Sequence, residues 1–144
     1  IVLAGECRSV LIQGQRVELC GVDDPKCGGS MWSDQLSAAA KAADPDCLAV
    51  LLSHRPERVE DYLAYDFDLV LSGHAHGGQW RLPGLVNGLL APDQGFFPAY
   101  AGGLYRLDEN TDLVVSRGLA RESTRVPRIF NPPELVIIDV TPAE

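Results

Sequence analysis

Short apolar runs separated by turn residues dominate the hydrophobic pattern of this chain. Two of them, Cys47–Ser53 and Phe67–Leu71, have the length of buried strands. The stretch between them, Pro56–Tyr65, starts with proline and carries acidic residues in its first turn, which favours a helix. The pattern therefore predicts a strand–helix–strand unit whose two strands run parallel and end at the same edge of a sheet.

The rest of the pattern extends this unit to an α/β fold. The alanine-rich stretch Ser33–Ala43 predicts a helix with a serine or aspartate cap. We find no internal repeat, low-complexity segment or linker, so we expect a single domain over residues 1–144. Further apolar or alternating stretches predict short strands, and these are Ile1–Leu3, Ser9–Gln13, Arg16–Val22, Leu104–Leu107, Leu113–Ser116 and Leu135–Val140.

All three histidines of the chain follow predicted strands. His54 comes after the first strand of the unit, and His74 and His76 follow the second strand in the glycine-rich turn Gly73–Gln79. Because the carboxyl ends of parallel strands meet at one edge, we expect the three side chains to converge there. A single histidine at a strand end is usually an ordinary hydrogen-bonded residue, whereas three converging imidazoles predict a site for zinc, manganese or iron.

Two segments carry a family resemblance. LLSHRPE at Leu51–Glu57 and DLVLSGHAHGGQ at Asp68–Gln79 resemble the second half of a calcineurin-like metallophosphoesterase, and GHAHGGQ is the most specific part. The branch that the chain resembles most is the membrane-associated phosphodiesterases related to UDP-2,3-diacylglucosamine pyrophosphatases. The resemblance implies part of a four-layer α-β-β-α fold, with a mixed sheet and flanking helices. Further segments similar to that branch are Gly21–Pro25, Ala101–Tyr105, Val115–Leu119 and Asn131–Glu134.

The resemblance also implies the chemistry. Members of the family use two divalent metal ions, manganese, iron or zinc, to clamp a phosphoester while a bridging hydroxide attacks phosphorus. By position, His54 and His74 would bind one metal ion and His76 the other. Gln79 is assigned to substrate binding or to support of the ligands, and Arg117 to a substrate phosphate, with an ordinary surface arginine as the alternative.

Three motifs of the family's first half are absent from the sequence, namely D-x-H, G-D-x-x-D and G-N-H. The family's catalytic histidine and bridging aspartate belong to these motifs, so the catalytic residues stay unknown here. With Ile1 as its first residue, the chain is expected to be the C-terminal portion of a metallophosphoesterase domain. We expect it alone to bind metal weakly and to hydrolyse little. The alternative is a non-catalytic regulatory or assembly module that keeps the fold.

Two other families with H-x-H patterns fit less well. A cupin expects a glutamate a few residues after the second histidine, but no acidic residue occurs here before Asp93. The metallo-β-lactamase pattern H-x-H-x-D-H also fails after His76.

Upstream, Asp23 and Asp24 precede Pro25, which favours turn chemistry over metal ligation, although the family places this loop near its site.

The charge and hydropathy of the chain limit the classes of molecule that it is expected to bind. The formal net charge of −8 argues against nucleic-acid binding, and bound cations would have to reverse the local sign for an anionic phosphoester. No apolar stretch is long enough to cross a bilayer. The long apolar loop Leu82–Tyr100 either contacts an acyl chain or membrane surface or folds over the core. The sequence leaves a cytoplasmic and a membrane-associated location open.

Two further expectations concern assembly and cysteine chemistry. Half of the family fold should leave an apolar sheet face uncovered, so a homo-oligomer is one expectation. The four cysteines show no C-x-x-C spacing, and we expect free thiols, with a Cys20–Cys27 bridge as the alternative.

Overall fold

A six-stranded mixed sheet forms the centre of the computed structural model, which describes residues 1–27, 30–120 and 127–141. Its strand order is β1-β2-β3-β4-β8-β7, and only the outer pairs β1–β2 and β7–β8 are antiparallel. A small antiparallel pair, β5 and β6, forms a second sheet. The predicted α/β class is confirmed. The strands are β1 Glu6–Ile12, β2 Gln15–Gly21, β3 Leu48–Leu52, β4 Leu69–Ser72, β5 Leu90–Ala91, β6 Gly95–Phe96, β7 Gly103–Arg106 and β8 Asp112–Val115.

The β1–β2 hairpin turns at Gln13–Gly14, where both residues have positive φ angles of 50° and 84°. Such two-residue turns match the natural twist of a hairpin. The resulting register places Cys7 directly opposite Cys20, and the two form a disulfide. The expectation of four free thiols is therefore wrong, because β1 begins at Glu6 and includes Cys7. Cys27 and Cys47 are free thiols.

The predicted strand–helix–strand unit is confirmed, since β3 and β4 pair in parallel. Its helix α2 is only one turn long, Val59–Tyr62, instead of the predicted Pro56–Tyr65. Tyr62 is fully buried and its hydroxyl bonds the backbone carbonyl of Arg55 and the hydroxyl of Ser53. The anchored ring fixes the connection between the strands over a short span, so a longer helix does not form.

Helix α1, Ser30–Ala42, covers one face of the sheet and starts three residues before the predicted Ser33. Trp32, Leu36 and Ala39 are its buried residues, and they join a core with Leu51 and Val70 from the central strands. This burial explains why an alanine-rich segment forms a stable helix, because tertiary packing adds to its intrinsic propensity.

The opposite face of the sheet is also apolar. The register pairs Val10 with Val17, and Leu71 with Val114, on the side away from α1. On the same side, Leu104 is 69% exposed. Val17 and Val114 on this face are nonetheless buried, so the face is exposed only in part. A homo-oligomer stays a prediction that size-exclusion chromatography would test.

Two predicted strands are wrong. Ile1–Leu3 lies outside the sheet, with Ile1 and Val2 fully or largely exposed. Leu135–Val140 forms no strand, because a strand needs a backbone partner and this segment instead lines a groove of about 510 Å³ with residues such as Leu48 and Leu104.

The basic loop that the sequence indicates at 121–128 falls largely on residues 121–126, which lie outside the described residues. Among the helices that are described, none combines the length and apolarity needed to span a membrane.

Candidate metal site

Two of the three predicted histidine ligands meet at the carboxyl edge of the sheet. His54 follows β3 and His74 follows β4, and their ring nitrogens Nε2 and Nδ1 lie 3.0 Å apart. The rings meet edge to face with centroids 4.7 Å apart. The structure therefore brings His54 and His74 together, while the predicted role of the three histidines as metal ligands stays a prediction.

The turn that carries His74 and His76 has an unusual backbone. Both histidines have positive φ angles, 59° and 49°, in a region that L-residues other than glycine seldom adopt. A Cβ atom on Gly78 would lie 2.3 Å from Gly88 Cα, so only glycine allows the following loop to pack this closely. Strained backbone of this kind persists where the surroundings hold it in place.

Asn131 is one of the residues that hold the turn. Its side chain is buried, and its amide donates to the backbone carbonyls of His76 at 2.7 Å and Gln79 at 3.1 Å. The sequence pattern places Asn131 in a segment similar to the family but predicts no role for it. The Asn-Pro-Pro run was the available signal, because a buried amide before two prolines suits a fixed turn contact.

Arg55, directly after His54, is a buried cation that the sequence pattern did not predict. Its side chain is 4% exposed and bonds both carboxylate oxygens of Asp24, at 2.8 and 2.9 Å. It also pairs with Asp93. Its Nη1 lies 3.1 Å from His74 Nε2. Asp24 therefore forms an ion pair with Arg55 beside the histidines. It also accepts a hydrogen bond from the backbone N–H of Lys26, which is the turn contact expected of an aspartate before a proline.

Charge and burial set the protonation of these groups. Hydrogen bonds from Arg55 hold the pKa of Asp24 below its usual value, and hydrogen bonds from Lys26 and then His74 do the same to the pKa of Asp93. The pKa of His54 is lowered by burial and by the nearby His74. Carboxylates stay ionised and this imidazole stays neutral, which is the state that binds cations.

The other predicted site residues are His76, Gln79 and Arg117, and each has its own surroundings. The pKa of His76 is lowered mainly by burial. The charges of Arg128 and of the two other histidines lower it further. Gln79 is buried, and its side-chain Oε1 has no hydrogen-bond partner among the described residues. Arg117 Nη2 donates to Glu134 at 2.6 Å.

The donor chemistry at this edge fits a divalent transition metal. Imidazole nitrogens with nearby carboxylates suit zinc, manganese and iron. Two adjacent nitrogens bound at about 2.1 Å to an octahedral ion lie about 3.0 Å apart, which equals the separation between His54 Nε2 and His74 Nδ1. On a tetrahedral zinc ion they would lie about 3.4 Å apart. Across residues 1–27, 30–120 and 127–141, no group of three or more potential ligand side chains is positioned to hold an ion. The geometry thus provides a ligand pair.

Comparison with known proteins identifies relatives by sequence. The uncharacterized metallophosphoesterase YkuE of Bacillus subtilis is 31% identical over 128 residues, covering 88% of this chain and 41% of YkuE. The uncharacterized metallophosphoesterase Cj0846 of Campylobacter jejuni is 42% identical over 92 residues, covering 64% of this chain and 22% of its own length. The UDP-2,3-diacylglucosamine pyrophosphatase LpxG of Chlamydia muridarum is 32% identical over 102 residues, 66% of this chain and 30% of LpxG.

No family model matches the chain, and no solved structure matches it. The chain spans less than half the length of the curated relatives named above. This chain is a homologue of the metallophosphoesterases, matched over most of its own length.

Proposed function

We propose that His54, His74 and His76 are ligands of a dinuclear divalent metal centre in a metal-dependent phosphoester hydrolase. The contact between His54 Nε2 and His74 Nδ1, 3.0 Å apart at neighbouring strand ends, carries the proposal. In this assignment His54 and His74 share one ion and His76 binds the other. Bound manganese, iron or zinc ions would polarise the phosphoester and supply a hydroxide nucleophile.

The chain's own residues would orient these groups. Neutral imidazoles present lone pairs to the ions, and Gly77 and Gly78 hold the turn in its positive-φ shape. We assign Gln79 to the substrate side, because its buried Oε1 lacks a partner among the described residues. Arg117 already donates a hydrogen bond to Glu134, so it would bind a phosphate group with the remaining N–H groups of its guanidinium.

Metal titration is the direct test. We expect isothermal calorimetry with Mn²⁺ or Zn²⁺ to show weak binding to this chain. His54→Ala and His74→Ala should each remove the binding event of the ion that the two residues share, and His76→Ala should remove the other event. Equal binding by the wild type and the His54 variant would refute the ligand assignment. We also expect little hydrolysis of bis-p-nitrophenyl phosphate by this chain alone, and robust turnover would contradict that expectation.

A non-catalytic regulatory or assembly module is the second candidate. Its support is Arg55, whose buried guanidinium neutralises Asp24 and Asp93 beside His74. A protein that is pure, folded and free of metal after expression in metal-rich medium would favour this candidate.

A lipid-linked phosphoester is the substrate class that we favour. One relative is named for a diacylated sugar nucleotide, and Phe96 and Phe97 are 72% and 68% exposed on the loop that reaches the site. Consecutive exposed aromatic side chains suit contact with acyl chains. Flotation with anionic vesicles should fall in Phe96→Ser/Phe97→Ser and stay unchanged in Leu104→Ser, which removes an equally exposed apolar residue from the sheet. Identical flotation of all three proteins would refute membrane contact.

A further inference from the structure

Asp93 links a distant loop to the histidine pair. Its carboxylate Oδ2 lies 2.7 Å from His74 Nε2. The same carboxylate pairs with Arg55 and, at 2.9 Å, with Lys26. Its three partners come from three other segments of the chain, so the contact joins the loop after the turn to the site. The sequence offers no sign of this role, because Asp93 lies 17 residues beyond His76.

The backbone around Asp93 is held in place. Asp93 lies in the turn between β5 and β6 with a φ angle of 58°, which aspartate tolerates better than most residues. The next residue, Gln94, exchanges two hydrogen bonds with the backbone of Tyr100, at 2.9 and 3.0 Å. On the other side, Ala91 is buried. The carboxylate is therefore preorganised and does not depend on a freely moving loop.

The contacts select one tautomer of His74. A carboxylate only accepts hydrogen bonds, so the 2.7 Å contact requires the hydrogen of the neutral ring to be on Nε2. Arg55 Nη1 lies 3.1 Å from the same nitrogen, but its closer partner is Asp93 Oδ2. Donation from both the ring and the guanidinium to this oxygen satisfies all three groups. With the hydrogen on Nε2, the lone pair of Nδ1 faces His54.

We propose that Asp93 is a positioning residue that holds His74 as the Nε2–H tautomer and so presents Nδ1 toward His54. The value of this for metal binding rests on the proposed function, since carboxylates behind a ligating histidine fix its orientation and raise its basicity. Removal of such a partner typically costs about 10- to 100-fold in metal affinity.

The contacts of Arg55 also predict which tautomer His74 adopts when the carboxylate of Asp93 is removed. In Asp93→Ala the guanidinium of Arg55 loses its nearer acceptor and remains within reach of His74 Nε2. The other acceptor of Nη1, Glu57 Oε1, lies farther away at 3.5 Å. Because an arginine only donates, we expect Nε2 to offer its lone pair to it. The hydrogen would move to Nδ1, and the metal-facing nitrogen would lose its lone pair to that hydrogen.

The test uses two-bond ¹H–¹⁵N correlation spectra of the metal-free, ¹⁵N-labelled chain at about pH 8, where imidazoles are neutral. We expect Nε2–H for His74 in the wild type and a shift toward Nδ1–H in Asp93→Ala. The matched control is Lys26→Met, which removes another partner of Asp93 and should leave the tautomer unchanged. The wild-type spectrum needs no variant to fold, and an Nδ1–H tautomer there overturns the proposal. So does an Nε2–H tautomer that survives in a folded Asp93→Ala.

A second readout separates this proposal from the metal function. Zn²⁺ affinity should fall about 10- to 100-fold in Asp93→Ala and stay unchanged in Lys26→Met. If the wild type binds no metal but the tautomers behave as expected, the metal function fails and the positioning role stands. If metal binds the wild type and Asp93→Ala equally, with the same tautomer in both, the positioning role fails and the metal function stands.

Discussion

Asn131 donates a hydrogen bond from its side chain to the backbone carbonyl of His76, 55 positions earlier, over 2.7 Å. A second bond from the same amide reaches the carbonyl of Gln79. The turn that carries His74 and His76 is thus held by a residue more than 50 positions later in the chain.

We expect Asn131→Ala to lower the free energy of unfolding by about 1–3 kcal/mol, because two hydrogen bonds from a buried amide are lost and the carbonyls of His76 and Gln79 keep only their backbone donors. Urea denaturation measures it. The matched control is Asn110→Ala in the exposed β7–β8 turn, which should change stability by less than about 0.5 kcal/mol. Equal losses in both variants would mean that the contact with the turn has no special value.

Gly78→Ala should destabilise more than Gly84→Ala. Both glycines have positive φ angles, 66° and 78°, so each alanine adds about 1–2 kcal/mol of backbone strain. Only the Gly78 variant also places a Cβ atom 2.3 Å from Gly88, while nothing lies within 4 Å at Gly84. Overlap of that kind typically adds about 1–3 kcal/mol. Thermal melting of the two variants gives the difference, and the prediction fails if Gly84→Ala melts first.

The ion pair between Arg117 and Glu134 should make the free energy of unfolding fall as the pH is lowered. The hydrogen bond from Arg117 lowers the pKa of Glu134 from its ordinary 4.5. A carboxyl group with a lowered folded-state pKa contributes stability above its unfolded-state pKa and loses it as pH falls toward the folded-state value. Wild-type stability should therefore fall below about pH 4.5 more steeply than that of Glu134→Gln.

Urea denaturation at neutral pH and at about pH 3.5 measures this effect. Glu109→Gln serves as the control, because Glu109 is an exposed acidic residue in the β7–β8 turn. It should follow the wild type at both pH values. A Glu134→Gln protein with the wild-type acid dependence would show that the Arg117 pair does not contribute.

Reduction of the Cys7–Cys20 disulfide should lower the melting temperature. The bridge joins residues 13 positions apart, and a loop of that size restricts the unfolded chain by about 3 kcal/mol in the chain-entropy account. We expect a reductant to shift the wild type by several degrees and to have no effect on Cys7→Ser/Cys20→Ser. Cys27→Ser, which changes an exposed free thiol, should keep the wild-type response. A wild-type melting curve that ignores reductant would contradict the bridge.

Local pattern was sufficient to predict the parallel pair β3–β4 and the meeting of His54 with His74. Strand length, turn residues and the fixed polarity of a strand–helix–strand unit determine both. The hairpin disulfide could also have been found, since a two-residue turn at Gln13–Gly14 pairs positions 7 and 20. It was missed because the strand before this turn was predicted to begin only at Ser9.

Contacts over long sequence separation could not be predicted in this way. Arg55 pairs with residues 31 and 38 positions away, and no periodicity carries that information. The wrong strand at Leu135–Val140 has a related cause, because alternation shows that a segment is suited to a strand but does not show that a partner edge is available.

The hairpin tip at Gln13–Gly14 has a practical consequence for handling this protein. β2 runs from that tip toward Asp24 and the histidines, so its seven residues separate the two ends of the sheet by about 20 Å. Gly14 faces open space. A fluorophore or a surface linker attached there would leave the opposite end free, so immobilised protein could be probed without perturbing the chemistry under study.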